Sequence, residues 1–133
     1  MNLDGNPAIE VPGDAPHVRR RLMDHLRKEA RADLAAAVAR HAETLGVRPQ
    51  AIRLKDTTSR WGSASARGVL AFSWRLVMAP PLVLDYVAAH EVAHLKEMNH
   101  SDRFWAICER LCPATEAAKA WLNKNGAGLH RLP

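Results

Sequence analysis

His90, Glu91 and His94 stand in the pattern H-E-x-x-H, and the run continues through Asn99 to His100 as H-E-x-x-H-x-x-x-x-x-H. On a helix, positions four apart lie about 40° apart around the axis and roughly 6 Å along it. His90 and His94 can therefore present two imidazoles to one metal ion. Glu91 projects from the adjacent flank, within reach of a water on that metal. His100 would complete three protein donors and leave a fourth position open. Closed four-ligand sites are structural, whereas three ligands and an open position mark catalytic zinc. The chemistry this implies is metal-assisted hydrolysis. Zinc lowers the pKa of its water toward ~7, and Glu91 takes the proton and passes it to the leaving group.

The plain alternative is a solvated helix face with incidental histidines. The chain has 7 histidines in 133 residues. At that frequency a chance H-E-x-x-H arises in roughly 2 of 100 such chains, and requiring His100 as well lowers this to roughly 1 in 1000. Val83, Val87, His90 and His94 also share one helical face, so the histidines extend an apolar stripe. Imidazoles directed inward need partners or a metal. A carboxylate further on, Glu109, is the alternative third ligand.

The elements that must position these groups follow from periodicity. Val18, Leu22, Leu26, Ala30, Leu34 and Val38 recur every four residues, which predicts a long amphipathic helix from about Pro16 to Leu45, stopped by Gly46. Ile52 and Leu54 alternate with Arg53 and Lys55, a half-buried strand; Leu70, Phe72, Trp74 and Leu76 alternate likewise. The two strands are expected to pair as an antiparallel hairpin across the long turn-rich connection Thr58–Gly68. Pro80 and Pro81 open the metal-site helix, which is expected to run to about Met98. Asn99 can end it and fold His100 back toward the metal. Ser101 is an N-cap for the next helix, which Pro113 breaks. A last helix is expected from about Ala114 to Asn123. The fold class is thus α+β: a long N-terminal helix, a small antiparallel sheet, an active-site helix and two C-terminal helices. Residues 1–15 read as a flexible leader, 16–126 as one domain, and 127–133, after Gly126, as a flexible tail.

Composition bounds the rest. One domain fits this length, and an apolar share of 47% is ordinary for a globular protein. No run of about 18 apolar residues exists to span a membrane, and the N-terminus has no signal-like segment. Cys108 and Cys112 form no disulfide framework and suit a reducing cytoplasm. They read as buried helix cysteines, with a second metal as the alternative. The net charge is +5, much of it in Arg19, Arg20, Arg21, Arg27, Lys28, Arg31 and Arg40. A basic helix could meet nucleic acid, but no aromatics interleave the charges, and a solvated surface explains it as simply.

Several segments together resemble the YgjP-like metallopeptidase domain family. They are Arg60-Trp61-Gly62-Ser63, Phe72-Ser73-Trp74-Arg75-Leu76, Ala79-Pro80-Pro81, Asp85-Tyr86-Val87, His90-Glu91-Val92-Ala93-His94-Leu95 and Asn99-His100-Ser101-Asp102-Arg103-Phe104-Trp105. More distantly, the chain looks like SprT-like and Wss-like peptidases. The resemblance implies a small zincin core, His90, His94 and His100 as zinc ligands, and Glu91 as the catalytic acid and base. The family often has Cys where this chain has Ala64, and Asn where it has Ser73. Its members usually carry a β-rich segment ahead of the long helix, for which residues 1–17 are too short. The spacing also equals that of metzincins, with Glu97 in place of their Gly, so a different turn through Met98 and Asn99 is expected.

Three functions are compatible with these residues. The first is a zinc metallopeptidase acting on a peptide or protein. Arg60 or a backbone N–H of Gly62 or Ser63 could then assist at the carbonyl oxygen, with Trp61 beside them, and the strand at residues 69–75 could align the substrate by strand addition. The second keeps the metal and hydrolyses a phosphoanhydride. The third is a zinc-stabilised, nucleic-acid-associated module without catalysis, against which Glu91 argues, because a structural site needs no base.

Overall fold

The computed structural model describes residues 15–56 and 60–130. The chain order is α1 (Ala15–Leu45), β1 (Ala51–Lys55), β2 (Gly62–Ala64), β3 (Val69–Ser73), a 3-10 helix (Trp74–Met78), α2 (Pro81–Ala93), α3 (Asp102–Leu111) and α4 (Thr115–His130). The architecture is α+β. Residues 1–14 of the stretch 1–15 read as a leader, and 131–133 of the stretch 127–133 read as a tail, lie outside the described residues.

α1 ends as its sequence requires. Gly46 has φ 76°, and the Val47 amide donates back to the Ala42 carbonyl at 3.0 Å. That is a left-handed glycine closing the last turn, which a side chain would oppose. The buried face of α1 comprises Ala30, Leu34, Ala37, Val38, His41, Ala42 and Leu45. The stripe thins toward the N-terminus, where Met23 and Leu26 are partly buried against the core and Leu22 is exposed.

The sheet corrects the expected antiparallel hairpin. Its order is β1-β3-β2, and β1 runs parallel to β3, with Leu54 opposite Phe72 and Lys55 opposite Ser73. The antiparallel partner is β2, with Gly62 opposite Phe72 and Ser63 opposite Ala71. β3 is therefore the central strand, buried on both faces from Leu70 to Ser73. With both its edges paired, it cannot accept a substrate strand. The alternation read through Leu76 breaks at Trp74, where Ser73 Oγ accepts the Arg75 amide at 3.2 Å and turns the chain into the 3-10 helix.

α2 is the hub. It packs on α1, α3, α4, β2 and the 3-10 helix. Pro81 occupies its first turn, where the missing N–H costs nothing. The helix ends at Ala93, short of Met98, and residues 94–97 form a turn closed by the Glu97 amide on the Ala93 carbonyl at 3.0 Å. Ser101 caps α3, its hydroxyl accepting the Phe104 amide at 3.3 Å. α4 continues through Gly126 and Gly128 to His130, past the expected end at Asn123 and into the stretch read as a flexible tail.

Candidate metal centre

His94 is the C-cap of α2 but keeps helical angles (φ −64°, ψ −20°), so it stays one turn above His90 on the same face. The following turn returns His100 to that face. The three histidines bring one ring nitrogen each to within 4.8 Å of the others. His90 Nε2 and His100 Nε2 are 3.3 Å apart. Tetrahedral zinc with Zn–N bonds of about 2.05 Å sets neighbouring donors about 3.3 Å apart. The residues present fit a zinc ion. Glu109 is exposed on α3 and outside this group.

The surroundings hold the rings with the free nitrogens facing one another. His94 Nδ1 lies 3.1 Å from the Glu97 carbonyl, to which it donates when Nε2 is left to a metal. His90 Nδ1 lies 3.2 Å from the Tyr86 hydroxyl, one turn earlier on α2. Phe104 packs on all three imidazoles, stacked on His94 at 4.4 Å between centroids. Trp105 stacks on His100 at 5.9 Å. Burial pushes His90 down to about 4, helped by repulsion from His94 and His100, and lowers His94 as well. Neutral imidazoles at physiological pH are the form a metal needs.

Glu91 is 5% exposed. Burial pushes its carboxyl up to about 7, while the positive charge of Arg60 pulls the other way. It lies under β2. A Cβ built on Gly62 would stand 2.9 Å from Glu91 Oε2 and 3.1 Å from Val87 Cγ1. Only glycine lets the strand lie this close to the carboxylate.

A cleft of about 500 Å³ opens over these groups, walled by Arg60 to Ala64 on one side and by Met98 and Leu122 on others. The Ser73 amide donates to the Trp61 carbonyl at 2.9 Å, and the Ser65 amide to the Val69 carbonyl at 3.0 Å. By the alternation of an antiparallel ladder, Trp61, Ser63 and Ser65 bond to β3, so the N–H and C=O groups of Gly62 and Ala64 point to the free edge. Among the backbone donors anticipated in this stretch, Gly62 offers its N–H and Ser63 does not. Trp61 is half-buried against α4, where a Cβ on Gly126 would sit 3.3 Å from its Nε1. It is a wall before it is a platform.

Sequence matching covers residues 4–125 with the YgjP-like metallopeptidase domain family. The chain belongs to that family. The match begins inside the stretch read as a leader. The fold is similar to that in the crystal structure of the metallopeptidase zymogen of Pyrococcus abyssi abylysin, with a TM-score of 0.61 and 22% identity over 74% of this chain and 96% of that one. A search among curated proteins finds no match. Among the described residues, no helix is long and apolar enough to cross a membrane.

Sequence reasoning did not anticipate Tyr86, Phe104 and Leu122 as parts of this site. Tyr86 carried a signal, since it precedes His90 by one helical turn. Leu122 carried none, because nothing local says where α4 docks.

Proposed function

We propose that this YgjP-like metallopeptidase domain hydrolyses peptide bonds in peptide or protein substrates using one zinc ion held by His90, His94 and His100. The observation that carries this is the convergence of three imidazole nitrogens on the cleft that the buried carboxyl of Glu91 also lines. Three nitrogen donors suit zinc, where magnesium or calcium would demand oxygen ligands. When bound, zinc would supply Lewis acidity, acidifying a water and polarising a carbonyl.

The chain's own groups do the rest. Glu91 accepts a proton from the attacking water at its carboxylate and donates it to the leaving amine. A carboxyl near pKa 7 can do both at neutral pH. The Gly62 N–H and Arg60 offer positive charge toward a developing oxyanion. The free edge of β2, at Gly62 and Ala64, aligns an extended peptide by strand addition. That role passes from β3, which is paired on both sides. Phe104 and Trp105 limit water around the imidazoles. Cys108 and Cys112 are both free and buried, which suits a reducing compartment such as the cytoplasm.

The test is cleavage of a mixed peptide library by zinc-loaded protein, with Glu91→Gln alongside. Peptide cleavage by wild type and none by the zinc-retaining variant is expected. Equal turnover by both would refute the role of Glu91.

A further inference from the structure

Three neighbouring cavities share lining residues. The cleft over the histidines and a smaller cavity share Arg60, Trp61, Gly62 and Ser63. The smaller one shares Lys55 with a third cavity of about 450 Å³, between α1 and the end of β1. Arg27, Lys28, Arg31, Lys55, Asp56 and Trp74 wall this third cavity. Nothing in the hydrolytic chemistry uses it.

Its charge is one-sided. Asp56 is already engaged: Arg75 Nε donates to its carboxylate at 2.9 Å, and that bond holds Asp56 below the usual carboxylate range against the cost of burial. Among the described residues, Lys28, Arg31 and Lys55 make no ion pair. The Arg27 guanidinium lies 5.6 Å from the centroid of the Trp74 ring, which holds its charge in place. Trp74 itself is 1% exposed. Uncompensated cations around a concave, low-dielectric wall focus a positive potential there.

Its position is also defined. Lys55 faces Ser73 and Gly62 faces Phe72, on opposite sides of β3. Two strand spacings, roughly 10 Å measured across the strands, therefore separate the backbone of Lys55 from β2. Among the described residues, the walls contain no glycine, and the helix start in them, at Trp74, opens only a short 3-10 helix.

We propose that this basic cavity is a subsite for acidic side chains of the protein substrate, reached from the cleft by way of the smaller cavity. The proposal rests on the peptidase reading and names the substrates that reading leaves open: chains with Asp or Glu near the cleavage point.

Two measurements on the zinc-loaded full chain test it separately from catalysis. Fluorescence anisotropy with a labelled hexaglutamate peptide should show binding that weakens in high salt and falls about tenfold in Lys28→Glu/Arg31→Glu. Both positions are exposed on α1, and circular dichroism checks that the variant is folded; Lys55→Gln is a second, milder variant with a smaller expected loss. Cleavage of a proteome-derived peptide library should show Asp and Glu enriched on one side of the cut, with the enrichment lost in the double variant. Equal hexaglutamate binding by wild type and variant would overturn the subsite, as would cleavage with no acidic preference. Binding of a single-stranded oligonucleotide of equal charge, lost in the variant while hexaglutamate never binds, would also overturn it, in favour of nucleic acid. Hexaglutamate binding that depends on Lys28 and Arg31, with no library peptide cut, supports the acidic pocket and counts against the peptidase reading instead.

Discussion

α2 carries two carboxylates whose surroundings drive them in opposite directions. Asp85 meets partners from α1: His41 Nε2 and Arg40 both lie 2.9 Å from its Oδ1. Burial works against the charge, yet those two hydrogen bonds prevail and hold Asp85 below the ordinary carboxylate range. Glu91, less than two turns later, has no such hydrogen bonds among the described residues, and burial raises it to about 7 against the pull of Arg60. The histidines divide in the same way. His41 is buried at 3% exposure and closed against a carboxylate. His90, His94 and His100 face one another instead. A closed polar pair ties two helices together. Convergent acceptors without an acid to satisfy them are poised to take something that is not part of the chain.

That contrast can be broken experimentally. The largest effect is expected at Glu91. Glu91→Gln should lower peptide turnover by about 10²–10⁴-fold in steady-state assays, with metal content unchanged. Asp85→Asn should leave the chemistry running, and a comparable loss there would erase the distinction.

Gly62→Ala comes next. Its methyl group would press on Glu91 Oε2 from 2.9 Å, so the carboxylate or β2 must shift. A misplacement of about 1 Å can cost on the order of 100-fold in rate. The expected result is a fall in kcat with zinc retained, and an unchanged kcat would show that the strand yields freely.

On the other side of the comparison, Asp85→Ala should leave the buried His41 ring without its partner. Urea denaturation should register a loss of about 1–3 kcal/mol, with zinc affinity intact.

The last effect is in the pH dependence of stability, where the two carboxylates have opposite signs. The folded pKa of Asp85 is depressed, so its stabilisation is present above its unfolded value of about 3.9 and is lost as pH falls below that. The folded pKa of Glu91 is raised, so in metal-free protein its folded state is favoured at low pH and loses stability as pH rises from about 4.3 toward 7. Thermal melts across pH should lose the acid-side slope in Asp85→Asn and the neutral-side slope in Glu91→Gln. Identical profiles for both variants would contradict the contrast.

Sequence made the histidine face, the α1 span, the Pro-Pro helix start and the Ser101 cap legible, because each rests on local spacing or local capping chemistry. It did not reveal β2. Gly62-Ser63-Ala64 is short and small-residued, with no alternation to read, and its strand character comes from pairing with β3. Missing it forced β1 onto β3 as a hairpin, when the chain instead crosses to the far edge and leaves β1 parallel. α4 was cut short because Gly126 reads locally as a breaker. In place, that glycine is buried against Trp61 with no room to spare for a side chain, and packing outweighs propensity. Of the proposed carbonyl donors, the free-edge N–H of Gly62 could be told from that of Ser63 only once the ladder was known.

The most direct test of the account is the zinc content of the purified chain by elemental mass spectrometry, with His100→Ala and Glu109→Ala beside it. The account expects about one zinc per wild-type chain, weakened binding in His100→Ala and no change in Glu109→Ala. A folded wild type that takes up no zinc, or one that loses it with Glu109 and not with His100, would contradict it.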